Sequence, residues 1–164
     1  MAVNYLIKQG HQNISFINGF KESQHGINRL KGVQNILSQN DLSLKPKLLK
    51  FGDFHTEDGY QSMQEILKLP REKWPTAVFA ASDNQAIGVL QAMEEKGLKA
   101  PDDIAVIGYD NIELAKYLKI TTIWQPMYQL GHLAIEVLLR AINGELKEKY
   151  NKELDLKLVK RETA

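Results

Sequence analysis

The sequence predicts an α/β fold, a parallel sheet with helices on both faces. Strand-like and helix-like segments alternate from end to end, a pattern that implies right-handed βαβ crossovers. Two segments, "TAVFAA" and "IAVI", are unbroken apolar runs, as strands buried on both faces must be. Each strand-like run is also followed at once by a polar or aromatic cluster, where open parallel sheets bind their ligands.

The elements follow in order. "MAVNYLIKQG" reads as a short amphipathic helix stopped by Gly10, and "ISFING" (14–19) as the first strand. In "GINRLKGVQNILSQN", Ile27, Leu30, Val33, Ile36 and Leu37 recur at helical spacing. "KLLKFG" (47–52) is a second strand, and "TEDGYQSMQEILKL" a second helix with Thr56 as its expected N-cap. "TAVFAAS" (76–82) leads into the helix "DNQAIGVLQAMEEKG", closed by Gly97, with Ser-Asp as its start signal. "IAVIGYD" and "ITTIWQ" are the fourth and fifth strands. The helix 127–143 is apolar nearly all round and so expects burial on more than one side. "NGELKEKYNKELD" (143–155) is linker-like, and "LDLKLVK" alternates as an edge strand does.

A chain of 164 residues, 43% hydrophobic and 25% charged, can bury a substantial core. The formal charge of +1 gives no basic footprint for DNA or an anionic membrane. With no cysteine, disulfides, thiolate metal sites and cysteine nucleophiles are excluded. His11, His25, His55 and His132 stand at no metal-ligand spacing, and no nucleophile elbow or phosphate-binding glycine loop is present. No enzyme activity, metal or cofactor is expected. The first residues lack the charged flank, long apolar core and cleavage site of a signal peptide, and no run is long enough to span a membrane, so no export signal is expected. The lack of cysteine fits an expected cytoplasmic location.

The residues after the strands are Asn18 and Phe20, Asp53 and Phe54, Ser82 and Asp83, and Asp110 and Asn111. Carboxylates, amides and hydroxyls beside aromatic faces suit a polyhydroxylated ligand. Asp110 reads as a ligand-facing acceptor, with capping of "NIELAKYL" as the alternative; Asp83 reads as a helix cap.

"GHQNISFING", "RLKG", "FGDFHTEDGY", "PTAVFAASDNQAIGVLQAMEEKGLKAPDDIAVIGYDNIELAKY" and "TTIWQPMYQLG", with the closing "LVKRET", resemble the effector-binding part of LacI/GalR-family transcriptional regulators. "GDF…GY", "SDNQAIG" and "QPMYQLG" lean towards the ribose-type members. The resemblance implies a periplasmic-binding-protein-like type I architecture, with two α/β subdomains clamping a sugar or nucleobase. It implies N-terminal truncation, the helix-turn-helix and most of the first subdomain being absent. Residues 1–119 would be the C-terminal subdomain, 120–150 a hinge crossing and helix of the partner subdomain, and 151–164 the return strand. By position, the resemblance assigns effector contacts to Arg29, Phe54, Ser82, Asp110 and Gln125, and dimer contacts to Ile87 and Tyr117. Partners would be a small-molecule effector, a second copy, and operator DNA reached only through the absent N-terminal domain. A departure is "LKI" before the threonine pair, where the family commonly has proline. The rival reading is a sugar-binding receptor of a transporter or chemoreceptor.

Overall fold

A computed structural model of the chain describes residues 1–146 and 150–164. Its strands are β1 (Ile14–Asn18), β2 (Leu49–Phe51), β3 (Ala77–Ala80), β4 (Ala105–Asp110), β5 (Thr121–Trp124) and β6 (Lys157–Val159). Its α-helices are α1 (Ala2–Lys8), α2 (Gln24–Ser38), α3 (Thr56–Leu67), α4 (Asp83–Glu94), α5 (Glu113–Tyr117) and α6 (Met127–Ile142). The strands form one sheet in the order β2-β1-β3-β4-β5-β6. Every neighbouring pair is parallel except β5 and β6, which run antiparallel.

Alternation along each strand divides the core in two. On one face Phe16, Phe79, Ile107 and Ile123 meet Val3 and Leu6 of α1 and Val33 and Leu37 of α2. Phe16 and Phe79 stack there with ring centroids 5.2 Å apart. On the other face Ile17, Val78, Ala80 and Val106 meet Met63 and Ile66 of α3 and Val89 and Met93 of α4. The helices α3 and α4 touch through backbone: a Cβ on Gly59 would lie 2.0 Å from the Gln85 carbonyl oxygen, and one on Gly88 1.9 Å from that of Thr56. Each helix can approach so closely only because it has a glycine at the contact.

The helix starts depart from expectation in two places. The N-cap position of α3 is His55, not Thr56. There the Asp58 carboxylate accepts the amides of Asp53 (2.7 Å) and His55 (2.9 Å), so the acidic first turn fixes the start. At α4 the cap is Ser82, whose Oγ accepts the Gln85 amide at 3.0 Å; Asp83 is the first helical residue. Helix α4 ends where expected, with Gly97 at φ +70.

Residues 121–124, expected from the sequence as the fifth strand, pair in parallel with β4, and α6 follows after Pro126. Helix α6 has no buried residue, and Ile135, Leu138, Leu139 and Ile142 are more than half exposed. The linker-like stretch 143–155 lies partly outside the described residues, which omit 147–149. After it, β6 returns and the last residues knit β4 to β5. The buried Thr163 hydroxyl accepts the Thr121 amide at 2.9 Å and donates to the Val106 carbonyl at 2.7 Å.

Candidate functional site

The carboxyl ends of the parallel strands bring together Asn18, Phe54, Ser82, Asp83, Asp110 and Gln125, and α2 brings Arg29 to them. Asn18 ends β1 fully buried. Its amide donates to the Gly26 carbonyl at 2.9 Å, pinning the first turn of α2 to the sheet. One turn later Arg29 points back over the strand ends. Its Nη1 donates to the Ala81 carbonyl at 2.7 Å, and its guanidinium lies 4.0 Å from the Tyr109 ring centroid and 5.6 Å from that of Phe54. A guanidinium held at one nitrogen and supported by a ring keeps its other donors in a fixed plane.

Phe54 follows β2 at φ +67, a left-handed backbone that only a well-held non-glycine residue sustains. Its ring lies over Gly19, where a Cβ would be 1.8 Å from Cζ, and the Phe20 ring meets it edge-on at 5.8 Å. The Ser82 hydroxyl donates to the Phe54 carbonyl at 2.9 Å while capping α4. Ser82 is only 3% exposed and both bonds are internal, so its contribution to this end of the sheet runs through Phe54.

Asp110 and Asn111 are consecutive left-handed residues, at φ +113 and +60. Asp110 does not cap α5, whose N-cap position is Ile112. Its Oδ1 accepts instead from Gln125 Nε2 at 2.5 Å, across the β4–β5 ladder. Burial pushes the Asp110 carboxyl up from its ordinary value; the Gln125 amide and the Arg29 charge oppose that rise. Asp83 is fully buried beside it, accepting from Thr122 Oγ1 at 2.5 Å and the Ile112 amide at 2.8 Å. Burial raises its carboxyl too, opposed by those two donors, with the Asp110 charge adding to the rise. Asp110, Trp124 and Gln125 line a cavity of about 320 Å³, while Arg29 and Tyr109 border one of about 500 Å³ on the α1–α2 side of the sheet.

A groove of about 510 Å³ runs along α6; among the described residues its lining is apolar at Leu130, Leu133, Val137 and Leu138 and charged only at Lys152, unlike the polar cluster at the strand ends. Of the residues expected at a dimer contact, Tyr117 is 71% exposed beside Leu114 and Leu118, and Ile87 is half-buried against the core. Among the described residues no group of three His, Cys, Asp or Glu is placed to hold a metal ion, and no helix is long and apolar enough to cross a membrane. Sequence reading missed three participants: Tyr109 as the platform for Arg29, Asp83 as a bridge between strands, and Arg161. Arg161 donates from Nη2 to Asn111 Oδ1 at 2.6 Å and from Nη1 to the Ile120 carbonyl at 2.7 Å. Position carried a signal for two of them, Tyr109 next to Asp110 and Asp83 directly after the third strand.

The sequence pattern of the periplasmic binding protein-like domain family matches residues 3–164. The chain is 40% identical over 150 residues to the HTH-type transcriptional repressor PurR of Histophilus somni (strain 129Pt), covering 90% of this chain and 44% of the relative. It thus spans less than half the length of that relative. A regulatory protein of the LacI family from Chloroflexus aggregans superposes with a TM-score of 0.91 at 29% identity, covering 99% of this chain and 58% of the other. The transcriptional regulator CelR in complex with cellobiose does so at 0.92 and 31%, covering 99% and 50%.

Proposed function

Because the chain belongs to the periplasmic binding protein-like domain family, we propose that it is the effector-binding part of a LacI-type transcriptional regulator, in which a small polar ligand governs operator binding. The observation that carries the reading is the convergence of an acceptor, a planar donor and an aromatic face at one end of a parallel sheet. Asp110 accepts from ligand hydroxyl or N–H groups, the free donors of Arg29 meet ligand oxygens, and Phe54 offers a ring face. Gln125 shares the Asp110 carboxylate, and Ser82 acts by fixing Phe54. A sugar such as ribose fits this donor and acceptor set.

The site is one wall of a clamp whose other wall lies outside this match, and the relatives' length leaves room for it. Ligand shifts the clamp between open and closed forms only by its difference in affinity for the two. The exposed α5 face around Tyr117, with Ile87, would meet a second copy, and operator would be bound by a separate DNA-binding part of a cytoplasmic protein.

The test is nuclear magnetic resonance titration of the 164-residue chain with D-ribose, cellobiose and hypoxanthine in turn. Weak binding is expected, with shifts centred on Arg29, Phe54, Asp110 and Gln125 and lost in Asp110→Ala. Shifts confined to α6, or tight stoichiometric binding by this wall alone, would overturn the reading.

A further inference from the structure

Two consecutive residues with side chains, Asp110 and Asn111, hold left-handed backbones at the end of β4. Such a pair persists only where its surroundings over-determine it. Asn111 is gripped from one side by Arg161 at 2.6 Å. From the other side the next amide, that of Ile112, donates to Asp83 Oδ2 at 2.8 Å. The same carboxylate takes the Thr122 hydroxyl on Oδ1 at 2.5 Å and so ties the turn to β5. Helix α4 does not need Asp83 as its cap, because Ser82 fills that position. Strand β4 makes room for Asp83: a Cβ on Gly108 would lie 2.2 Å from Asp83 Oδ1.

We propose that Asp83 is the positioning residue of the ligand end. By bridging Thr122 and the Ile112 amide, its carboxylate holds Asp110 and Asn111 in their left-handed backbones and so aims the Asp110 carboxylate at the ligand. The purpose of the device rests on the reading of Asp110 as a ligand contact; its geometry does not. The bridge needs an acceptor for the Ile112 amide and a partner for the Thr122 hydroxyl, which can either donate or accept. Asparagine supplies both, with its carbonyl towards the amide and its NH₂ towards the hydroxyl. Alanine supplies neither.

The experiment uses the isotope-labelled 164-residue chain without ligand. It reads the one-bond Cα–Hα couplings of Asp110 and Asn111, which distinguish positive from negative φ, and the side-chain amide resonances of Gln125. In Asp83→Asn the couplings keep their positive-φ values and the Gln125 amide stays near its wild-type position. In Asp83→Ala at least one coupling moves to the negative-φ range and the Gln125 amide shifts to that of a solvated side chain. A folded Asp83→Ala chain with both couplings intact, or with changes confined to residues 84–88 of α4, overturns the proposal, since that is what a purely structural carboxylate at a helix start would give. Equal loss in the asparagine and alanine variants also overturns it, because charge rather than hydrogen-bond geometry would then hold the turn. Should the alanine variant not fold, Thr122→Val removes one arm of the bridge with little change in shape. Displaced Asp110 and Asn111 signals then support the proposal and unchanged ones reject it. No ligand enters these readouts, so failure to find an effector and failure of this proposal are separate results.

Discussion

Replacing Gly88 by alanine tests the packing that places the site. In the interior of α4 this substitution should by helix propensity alone be favourable, by about 0.5–1 kcal/mol. The structure gives the opposite sign. The new Cβ would stand 1.9 Å from the Thr56 carbonyl oxygen and 2.6 Å from the Tyr60 nitrogen, against the 3.4 Å at which ordinary contact begins. Both obstacles are backbone, so α3 and α4 have to part by about 1.5 Å along that contact, judged from the same separations. Overpacking of this kind costs up to about 3 kcal/mol, and rigid neighbours put Gly88→Ala at that end of the range. For a chain of this length each kcal/mol moves the melting temperature by about 2–4 °C, so the expected fall is about 6–12 °C. Gly32 in α2 is the control: a Cβ there meets nothing within 4 Å, and Gly32→Ala should raise the midpoint by about 1–4 °C. Thermal and urea unfolding followed by circular dichroism read both. Were Gly88→Ala as stable as wild type, the close α3–α4 contact would be wrong. So would the placement of Phe54 and Ser82, which sit directly ahead of those helices.

Three further outcomes are expected. The folded-state carboxyl of Asp110 is raised above its unfolded value of 3.8, so the native chain binds the extra proton between that value and the raised one. Stability from this group is therefore full below pH 3.8 and is lost as pH rises through the raised value. Asp110→Asn, which keeps an oxygen for Gln125, should be more stable than wild type at pH 7, with the gap narrowing in acid; a constant gap in thermal melts from pH 7 down to 3.5 would refute this. Thr163→Val strands a buried amide and carbonyl that the hydroxyl now satisfies, and should lower stability by about 1–3 kcal/mol in urea. Helix α6, with its exposed apolar surface, should drive self-association at high concentration; light scattering should find a monomer restored by Leu138→Glu with Ile142→Lys, and a wild-type chain strictly monomeric at millimolar concentration would contradict it.

How far the sequence foretold this molecule depended on the range of the interaction that decides each feature. The strands were legible because burial on two faces leaves uninterrupted apolar runs, as in Ala77–Ala80 and Ala105–Ile107. The stop at Gly97 was legible because a left-handed residue after a helix favours glycine. The start of α3 was misplaced by one residue because Asp58, three residues beyond the cap position, supplies the decisive carboxylate. Asp83 was misread for a deeper reason. Locally, Ser-Asp before an apolar-periodic run offers two capping side chains, and only the fold reveals that one of them is diverted to Thr122, 39 residues away. Arg161 is 50 residues from Asn111, a separation over which no local pattern operates. Positive φ at Phe54, Asp110 and Asn111 was equally silent, since none of the three is glycine. Asp41 and Lys119 hold the same kind of backbone, at φ 56 and 54, in the connections that lead into β2 and β5, so positive φ alone does not mark a site. What sets the turn after β4 apart is the coincidence of that backbone with a half-buried carboxyl whose protonation burial favours, at Asp110. Each burdens the folded state, and the proposed ligand contact gives a reason for retaining both in one turn.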